Sequence, residues 1–597
     1  MPTIEELLNL DPSKFAGAAE GWAKVSGRAR AAKDRVEHEM LAQLRATQQG
    51  EAAESVTGTL TKLSNNYQYI HAECALVETA LKGLSEELVS PQRKLKQALD
   101  EAQQLKFTVK PDGSVEYPRS PSTPAPLLQQ PAQGGQLLLQ TDDANHAKAQ
   151  EIADRIGEAL KEATEIDGRY AQALSKLQTN SDLTKTDWAD VSQDLKAVQS
   201  AAGKHFSADA IPKGKSPKDN AAWWQSLTDE QRNEYAALYP AAIGALDGLP
   251  ATVRDDANRI VLAETRANLA ERIRGLEANE PQKFEPKYNN ITGLPLQGVQ
   301  AVTSGWEKWS AEKEDLEKKL KGIDAIQQRV ERAGKDQRDL PEAYLLGFDA
   351  VGRGHAIVAN GNPDVAQHTA VYVPGTGARL EDIPSGINRS GLLWRASAAK
   401  APGDTVSTIT WYGYDAPQDV VKDSPFSHYA DDAAGNLNGF LSGLNASHSS
   451  SAGHHLTAIG HSYGTVVVGS AARQGDLPVS DVIFAGSPGV QLGRASDFPV
   501  PQGHVWNEHA DKGDELVGTF GRLAHGGAQP PGPSGIKQVI PDDVEFGARQ
   551  MATDTEGHGG YWDYDADTHR ASLSLENQAK VVVGQYGEVK LKNSHAK

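Results

Sequence analysis

The sequence feature that most limits the fold is an alternation that begins after Pro341. Short β-branched or apolar runs with glycine near their ends are separated by segments of helical periodicity. This alternation is typical of a mostly parallel sheet whose strands are joined by crossover helices. We therefore predict an α/β domain over residues 337–597. Its eight predicted strands are 344–348, 354–359, 369–373, 406–411, 456–459, 481–485, 504–507 and 544–550.

The first 336 residues have a helical pattern instead. Apolar residues recur at three- to five-residue intervals over most of 1–104, 143–177, 187–202, 251–276 and 303–333, which predicts amphipathic helices. A Pro-Asp-Gly turn at 111–113 predicts a β-hairpin, and the Pro/Ser/Gln-rich stretch 118–135 predicts a linker. Three prolines interrupt the helical pattern between 279 and 296. We expect a helical hairpin at 1–104, the β-hairpin and linker at 105–142, and a helical region at 143–336.

Charge and cysteine content exclude several kinds of function. The chain has 60 Lys and Arg against 79 Asp and Glu, a formal charge of −19, which argues against a nucleic-acid or anionic-membrane binder. Cys74 is the only cysteine, so the chain can form no internal disulfide and no multi-cysteine metal site. No Sec signal peptide and no membrane-spanning run of about 18 apolar residues is apparent. We expect a cytoplasmic protein or export by a non-Sec route.

The most specific motif is Gly-His-Ser-Tyr-Gly at 460–464, between the fifth predicted strand and a helical segment. At a strand-to-helix turn this motif predicts a nucleophile elbow, in which glycines let the backbone hold a serine in a strained conformation with Oγ exposed. The N–H groups of the following helix would face an oxyanion formed there. Ser462 is the predicted nucleophile.

A serine nucleophile needs a base, and the base needs an orienting carboxylate. In an α/β-hydrolase the acid follows strand seven and the histidine follows strand eight. After the seventh predicted strand, Asp514 is the first choice of acid and Asp511 the alternative. After the eighth, His558 lies between glycines that suit a mobile loop, and it competes with His509 and His569 for the role of base.

The loop after the third predicted strand is the candidate oxyanion loop. One donor is expected to be the N–H of Tyr463, directly after the nucleophile. The second is expected to be the N–H of Thr376 or Gly377, with Thr376 preferred. Gly375 and Gly377 would let the backbone approach a bound substrate closely.

Aromatic residues follow the fourth predicted strand. Trp411 and Tyr412 could line an acyl or alcohol pocket, although packing in the core explains them equally well. His448, His454 and His455 lie in a Ser/Gly-rich loop without metal-ligand spacing, so they are interpreted as surface residues. No metal and no cofactor is expected.

These motifs together resemble actinobacterial α/β-hydrolases of the DUF1023 type. The resemblance rests on residues 371–376, 411–417, 460–464, 513–514 and 557–558, and upstream on 223–228, 244–250 and 254–259. It extends from about residue 200 to the C-terminus. It implies an α/β-hydrolase fold and a serine hydrolase with Ser462, Asp514 and His558 as its triad, and it leaves the substrate open.

The first hundred residues resemble the WXG-type helical hairpins of type VII secretion systems. Two long helices meet at 46–53, but Gln48 occupies the position where the tryptophan of the motif would lie. A plain helical hairpin is the alternative interpretation. The resemblance implies a helical protein partner for the N-terminal region.

The predicted function is cleavage of a small-molecule or lipid-like carboxylic ester through an acyl-enzyme. The alternative is a type VII-type secreted effector, or a helical partner-binding protein, whose hydrolase-like domain is inactive or accessory. Binding of the N-terminal region to a protein partner would favour that alternative.

Overall fold

The computed structural model describes most of the chain in two compact units. The described residues are 2–48, 50–118, 144–177, 186–291, 293–331, 339–449, 454–510, 512–529, 537–565, 568 and 570–592. One unit comprises residues 1–43 and 62–210, and the other comprises 44–61 and 211–597. The predicted linker 118–135 lies outside the described residues, apart from Pro118.

The first unit is built mainly from long helices. They are α1 (Ile4–Asn9), α2 (Ser13–Asp34), α3 (Ala42–Thr47), α4 (Glu51–Gln104), α5 (Ala144–Leu174) and α6 (Trp188–Ala202), with a π-helix at Arg35–Leu41. Ala42–Thr47 and the start of α4 extend into the stretch 44–61 of the other unit. One helix ends at Thr47 and the next begins at Glu51, and Thr108–Val109 pairs with Val115–Glu116 in a β-hairpin.

The amphipathic pattern explains how these helices pack. Ile152, Ile156 and Ala159 recur at three- and four-residue intervals along α5, and all are fully buried. Across this interface Glu87 of α4 accepts hydrogen bonds from Arg169 at 2.6 Å and from the Tyr170 hydroxyl at 2.7 Å. A buried apolar stripe with a satisfied carboxylate is a stable arrangement for paired helices.

The second unit contains the predicted eight-stranded sheet. Its strands are β1 (Ala343–Asp349), β2 (His355–Asn360), β3 (His368–Val373), β4 (Val406–Tyr412), β5 (His455–His461), β6 (Asp481–Ala485), β7 (Val505–Glu508) and β8 (Arg549–Gln550). Their order across the sheet is 8-7-6-5-3-4-2-1. Strand β2 runs in the direction opposite to the other seven strands, which all point the same way. The predicted α/β-hydrolase fold, a mostly parallel sheet preceded by a large helical region, is confirmed.

The eighth strand is shorter than predicted. Residues 544–550 were expected to be extended, but Val544–Phe546 forms a 3₁₀ turn and only Arg549–Gln550 pairs with β7. Gly547 separates the two with a left-handed φ of 86°. A strand cannot continue through that conformation, so the β-branched and aromatic composition of the segment was misleading here.

Helices cover both faces of the sheet. The remaining helices of this unit are α7 (Pro217–Ser226), α8 (Asp229–Leu238), α9 (Pro240–Gly244), α10 (Ala251–Ala278), α11 (Ser304–Val330), α12 (Ile383–Lys400), α13 (His428–Ser447), α14 (Tyr463–Gln474), α15 (Glu515–His525) and α16 (Leu573–Val582). Alternate residues of β3 enter opposite cores: Val371 joins the core formed with α13 and α14, whereas Tyr372 joins the core formed with α12 and α16. Both faces of the central strands are therefore buried, as in other parallel sheets.

Helix α10 is part of the compact unit that contains the sheet, although it lies upstream of the boundary predicted at residue 337. Asp255 accepts a hydrogen bond from the Leu345 N–H at 2.7 Å, and Asn258 donates to the Leu345 carbonyl at 3.0 Å. Between α10 and α11, Phe284–Tyr288 pairs with Pro295–Val302 in an antiparallel hairpin. Within the described residues, no helix combines the length and apolarity needed to cross a membrane.

A polar network joins the amino ends of β5, β6 and β7. Asp481 is fully buried and accepts hydrogen bonds from His455 at 2.7 Å, Trp506 at 2.9 Å and Tyr586 at 2.7 Å. His455, interpreted as a surface-loop residue from the sequence, is therefore the first residue of a central strand and part of this network. Burial raises the pKa of Asp481, but these hydrogen bonds outweigh burial and the pKa lies below its ordinary value.

We expect Asp481→Asn to lower the free energy of unfolding by about 3 kcal/mol at pH 7, because an amide cannot accept all of these donors and loses the charge. Since the folded-state pKa of Asp481 is depressed, its contribution is present above about pH 4 and is lost as pH falls through the folded value. Denaturant unfolding at pH 7 and at pH 3 measures this. As a control, Asp476→Asn at an exposed position should change the free energy of unfolding by less than about 0.5 kcal/mol. Equal losses in both variants would contradict a stabilising role of the hydrogen bonds to Asp481.

Candidate active site

The predicted elbow is present between β5 and α14. Ser462 has a left-handed φ of 54° and a ψ of −127°, and α14 begins at the next residue. Its N–H donates to the Ala485 carbonyl at 3.0 Å, and its carbonyl accepts from the Thr465 N–H at 3.0 Å and hydroxyl at 2.8 Å. A strained backbone persists only where its surroundings hold it, and these hydrogen bonds fix Ser462 at the carboxyl end of the sheet.

Glycine is required where the elbow meets β3. A Cβ atom at Gly464 would collide with the Val373 carbonyl oxygen. A Cβ atom at Gly375, in the loop after β3, would lie 2.7 Å from Ser462 Cβ and 3.1 Å from the Tyr463 nitrogen. The loop backbone therefore lies directly against the predicted nucleophile, as the sequence analysis expected of the oxyanion loop.

The structure separates the two predicted loop donors. The N–H of Gly377 donates to the Pro417 carbonyl at 2.7 Å, so it is already occupied. The N–H of Thr376 has no acceptor among the described residues. Tyr463 is the first residue of α14, and the first N–H groups of a helix have no partner within it. Among the described residues, the N–H groups of Thr376 and Tyr463 therefore have no acceptor, and their role as oxyanion donors stays a prediction.

The structure brings Asp514 and His558 together. Asp514 Oδ1 lies 2.6 Å from His558 Nδ1. Asp514 is fully buried at the start of α15, whereas the His558 side chain is 32% exposed. The second oxygen, Oδ2, accepts from the Ala510 N–H at 3.0 Å and from the Tyr561 hydroxyl. Both carboxylate oxygens are therefore held, and one of them is aimed at the imidazole.

Hydrogen bonding dominates the titration of this carboxylate. Burial raises the pKa of Asp514, but donation from His558, Tyr561 and the Ala510 N–H lowers it further, so the pKa lies below its ordinary value. Asp514 is consequently ionised at neutral pH, which is the state that orients an imidazole and stabilises its protonated form.

The other acid and base candidates are not at this position or are not described. Asp511 and His569 lie outside the described residues. His509 faces Asp542, with 3.9 Å between Nε2 and the nearer carboxylate oxygen. Of the histidines in the described part of the chain, His558 is the one that contacts Asp514.

His558 lies against the turn that carries Ser462. A Cβ atom at Gly486, which follows Ala485 of β6, would be 2.9 Å from the His558 ring. His461, directly before the serine, has its ring centroid 5.0 Å from that of His558. No hydrogen bond joins Ser462 and His558 among the described residues, and such bonds are often long in ligand-free sites. The catalytic roles of Ser462, Asp514 and His558 stay predictions.

Sequence reasoning missed a second layer of residues beneath this site. His461 Nε2 lies 2.8 Å from the His558 carbonyl oxygen, and Arg389 of α12 donates to His461 Nδ1 at 3.3 Å. Burial, together with the charge of Arg389, lowers the pKa of His461 to about 3. His461 is therefore neutral and donates through Nε2, which fixes the backbone of His558. Only the position of His461 inside the motif at 460–464 could have indicated this role.

Trp411 and Tyr412 are buried in the core. The Trp411 ring stacks on Tyr414 with centroids 5.9 Å apart, and the Tyr412 hydroxyl donates to the Asp382 carbonyl at 3.2 Å. These contacts account for both residues as packing. Their predicted part in substrate binding stays a prediction.

A buried acid lies behind the Asp514–His558 pair. Glu508, the last residue of β7, accepts a hydrogen bond from Gln578 Nε2 at 2.9 Å. Glu508 Oε1 and Gln578 Oε1 have no partner among the described residues. Burial raises the pKa of Glu508 well above its ordinary value. Because burial favours the uncharged carboxylic acid, we expect Glu508 to be neutral.

We therefore expect Glu508→Gln to fold, and we expect its free energy of unfolding to rise relative to that of wild type as pH increases. The folded-state pKa of Glu508 is raised, so wild type loses stability as pH rises above the unfolded value near 4.5, by at most about 1.4 kcal/mol per pH unit. The glutamine has no proton to lose. Denaturant unfolding between pH 5 and pH 9 measures the gap, and Glu508→Ala controls for lost packing. A gap that does not change with pH would contradict a neutral Glu508.

Comparison with known proteins identifies the domain that carries this site. A family profile described as alpha/beta hydrolase matches residues 349–524, a range that includes Ser462 and Asp514 but ends before His558. The uncharacterized protein Rv2079 of Mycobacterium tuberculosis is 27% identical over 468 residues, covering 73% of this chain and 66% of that protein. The uncharacterized protein Rv0963c of the same organism and Mb0988c of Mycobacterium bovis are each 39% identical over 178 residues, covering 28% of this chain and 66% of each relative. The chain thus spans just under two thirds of the length of these relatives.

Proposed function

Residues 349–524 are an α/β-hydrolase domain, and we propose that this chain is a serine hydrolase that cleaves carboxylic esters through an acyl-enzyme on Ser462. One observation carries the proposal. A serine with a left-handed backbone occupies the turn between β5 and α14, beside N–H groups without an acceptor among the described residues and near a buried Asp514 that is hydrogen-bonded to the partly exposed His558. Simple packing does not require these features together.

In the proposed mechanism His558 Nε2 takes the proton from Ser462 Oγ as the oxygen attacks the ester carbonyl. The negative charge that develops on the carbonyl oxygen is stabilised by the N–H groups of Tyr463 and Thr376. The protonated His558 then gives its proton to the leaving alkoxide, and the C–O bond breaks to leave the acyl group on Ser462. A water molecule repeats these steps and releases the acid.

Asp514 supports this mechanism by fixing the tautomer of the imidazole. Its bond to His558 Nδ1 at 2.6 Å places the proton on Nδ1 and leaves Nε2 free to act as base. Because Tyr561 and the Ala510 N–H hold the second oxygen, the carboxylate cannot turn away. Tyr561 is a positioning residue in this account.

The surface around the site favours an apolar substrate. Helix α15 begins directly after the proposed acid. At its other end, His525 Nε2 is hydrogen-bonded to the Ser424 carbonyl oxygen, and the Ser424 hydroxyl is hydrogen-bonded to the Thr376 hydroxyl. The helix therefore connects the acid to the oxyanion loop. Three of its solvent-facing side chains are large and apolar: Leu516 is 69% exposed, Phe520 67% and Leu523 83%. Exposed apolar clusters of this kind mark binding surfaces, and an acyl chain fits this one.

We expect a fluorophosphonate to label wild type and not Ser462→Ala, because the reagent needs the activated serine. Ser480→Ala, a change at the opposite edge of the sheet, should leave labelling intact. Asp514→Asn should lower ester turnover by about 10⁴-fold through the wrong imidazole tautomer, while Asp511→Asn should be nearly neutral. Labelling that persists in Ser462→Ala would refute the nucleophile, and loss of turnover in Asp511→Asn alone would transfer the role of acid.

The apolar face of α15 should set the preference for chain length. We expect Phe520→Ser with Leu523→Ser to lower kcat/KM for a decanoate ester by at least about tenfold and for an acetate ester by less than about twofold, since each buried methylene contributes about 0.8 kcal/mol. The equally exposed Val351→Ser is the matched control. A parallel fall for both esters would show that α15 affects the catalytic groups rather than the acyl chain.

A further inference from the structure

The β-hairpin between α10 and α11 leaves large apolar side chains uncovered. Phe284, Tyr288, Leu294 and Val299 are all exposed, and Ile291 near its tip is 94% exposed. An isolated two-stranded hairpin is only marginally stable in water. A cluster of exposed apolar residues on such an element indicates a surface that another phase or molecule covers.

The two helices that carry the hairpin extend past the edge of the sheet at which Ser462 lies. Arg329 near the end of α11 bonds Asn360 at 2.7 Å, at the amino edge. Gly322 packs against the Leu380 carbonyl, in the segment after β3 on the side of the site. Residues 304–322 of α11 lie between the start of the helix and this contact with Leu380, and they span about 27 Å. The hairpin therefore stands beyond the catalytic edge.

Helices α10 and α11 form a paired stalk beneath the hairpin. They run antiparallel, with ion pairs between Arg266 and Asp324 at 2.7 Å and between Glu277 and Lys313 at 3.0 Å. Near the top, the Trp309 Nε1–H donates to the Leu276 carbonyl at 2.9 Å. These contacts along the stalk fix the position of the hairpin relative to the sheet.

The tip of the hairpin has no charged residue, and several of its described backbone groups are paired within it. No charged residue lies between Lys287 and Glu307. The Asn289 N–H donates to the Leu294 carbonyl, and the Gly293 N–H donates to the Asn289 carbonyl, both at 2.9 Å. Asn289 Oδ1 accepts from the Ile291 N–H at 2.8 Å. The absence of charge and the internal pairing of these backbone groups both lower the cost of moving the tip out of water.

The base of the hairpin has the residues typical of a membrane interface. The Lys283 ammonium lies 4.2 Å from the Trp306 ring centroid, and Trp309 follows one turn later. Tryptophan, tyrosine and lysine are enriched where an apolar segment meets the lipid headgroups. Apolar residues at the tip and these residues at the base occur in the order that a lipid surface would require.

The hairpin is poorly suited to pairing with another strand. Pro286 and Pro295 remove backbone donors from its two strands, and the register shifts between Pro286 and Tyr288. Prolines and bulges of this kind are features that prevent edge-to-edge pairing. Contact through the side chains of the tip is therefore favoured over addition of a strand from a second copy or a peptide.

We propose that this hairpin inserts its tip into the headgroup region of a lipid surface without net negative charge, and so holds the catalytic edge toward that surface. The formal charge of −19 disfavours anionic lipid, which attracts basic segments. The uncharged tip requires no charge complementarity. This inference does not depend on the proposed esterase activity, since it concerns binding alone.

Flotation of the full chain with phosphatidylcholine vesicles tests the proposal. Wild type should float with the vesicles, and binding should persist in 1 M NaCl, where charge-driven binding is screened. Ile291→Asp with Leu294→Asp should lower the partition coefficient by at least about tenfold, because two charges enter the inserting tip. Val544→Asp, at the opposite edge of the sheet and similarly exposed, should bind like wild type. Circular dichroism checks that each variant is folded.

Site-specific fluorescence gives a second readout that does not require loss of binding. A polarity-sensitive dye on Ile291→Cys should shift to the blue with vesicles, whereas the same dye on Val544→Cys should not. The native Cys74 is buried, and burial raises its pKa to about 11, so it does not compete for the dye.

Three outcomes would overturn the proposal. One is failure of wild type to float at millimolar lipid, and another is binding of the doubly substituted tip as strong as that of wild type. Alternatively, sedimentation could show a wild-type dimer that the tip substitutions dissociate, with no vesicle binding; the hairpin would then be an interface between copies. None of these results bears on fluorophosphonate labelling of Ser462, which tests the proposed hydrolase separately.

Discussion

The candidate site depends on the close contact between the turn after β5 and the end of β3. Parallel pairing places Gly460 opposite Val373, so the two chains leave the sheet side by side. The turn after β5 can then pack against the end of β3 only because both contact points are glycine. A side chain at Gly464 would collide with the Val373 carbonyl, and one at Gly375 would collide with Ser462. The predicted nucleophile and the predicted oxyanion loop are thereby brought together by backbone packing alone.

The proposed acid and base, Asp514 and His558, reach this point from distant parts of the chain, and buried polar contacts fix both. Asp514 is held by Ala510 and Tyr561, and the His558 carbonyl is held by His461. Such networks are costly when one member is missing, because a buried polar group then loses its partner. The arrangement therefore combines a rigid scaffold with one partly exposed imidazole, the group that we propose transfers protons.

The sequence was sufficient for the sheet because short β-branched or apolar runs with glycine near their ends are local signals. It failed at the eighth strand, where Gly547 adopts a left-handed conformation that composition did not reveal. It also assigned α10 to a separate region, since the bonds of Asp255 and Asn258 to β1 span about ninety residues. Contacts between residues so far apart leave no local pattern to detect.

The same contrast applies to the site. The residue types of Ser462, Asp514 and His558 follow from the order of motifs along an α/β chain, and the contact between Asp514 and His558 agrees with that order. Arg389 and Tyr561 were not found, because neither belongs to a motif and each acts through a neighbour. The exposed apolar tip of the hairpin was visible only as an interruption by prolines, since exposure cannot be seen in a sequence.

Detection of the acyl-enzyme tests the central claim most directly. The full chain would be mixed with a chromogenic ester, quenched in acid within milliseconds and analysed by intact-protein and peptide mass spectrometry. The account predicts one acyl group per chain, located on the peptide that contains Ser462, with a burst of released alcohol of the same stoichiometry. Turnover without an adduct, or an acyl group on any other residue, would contradict it.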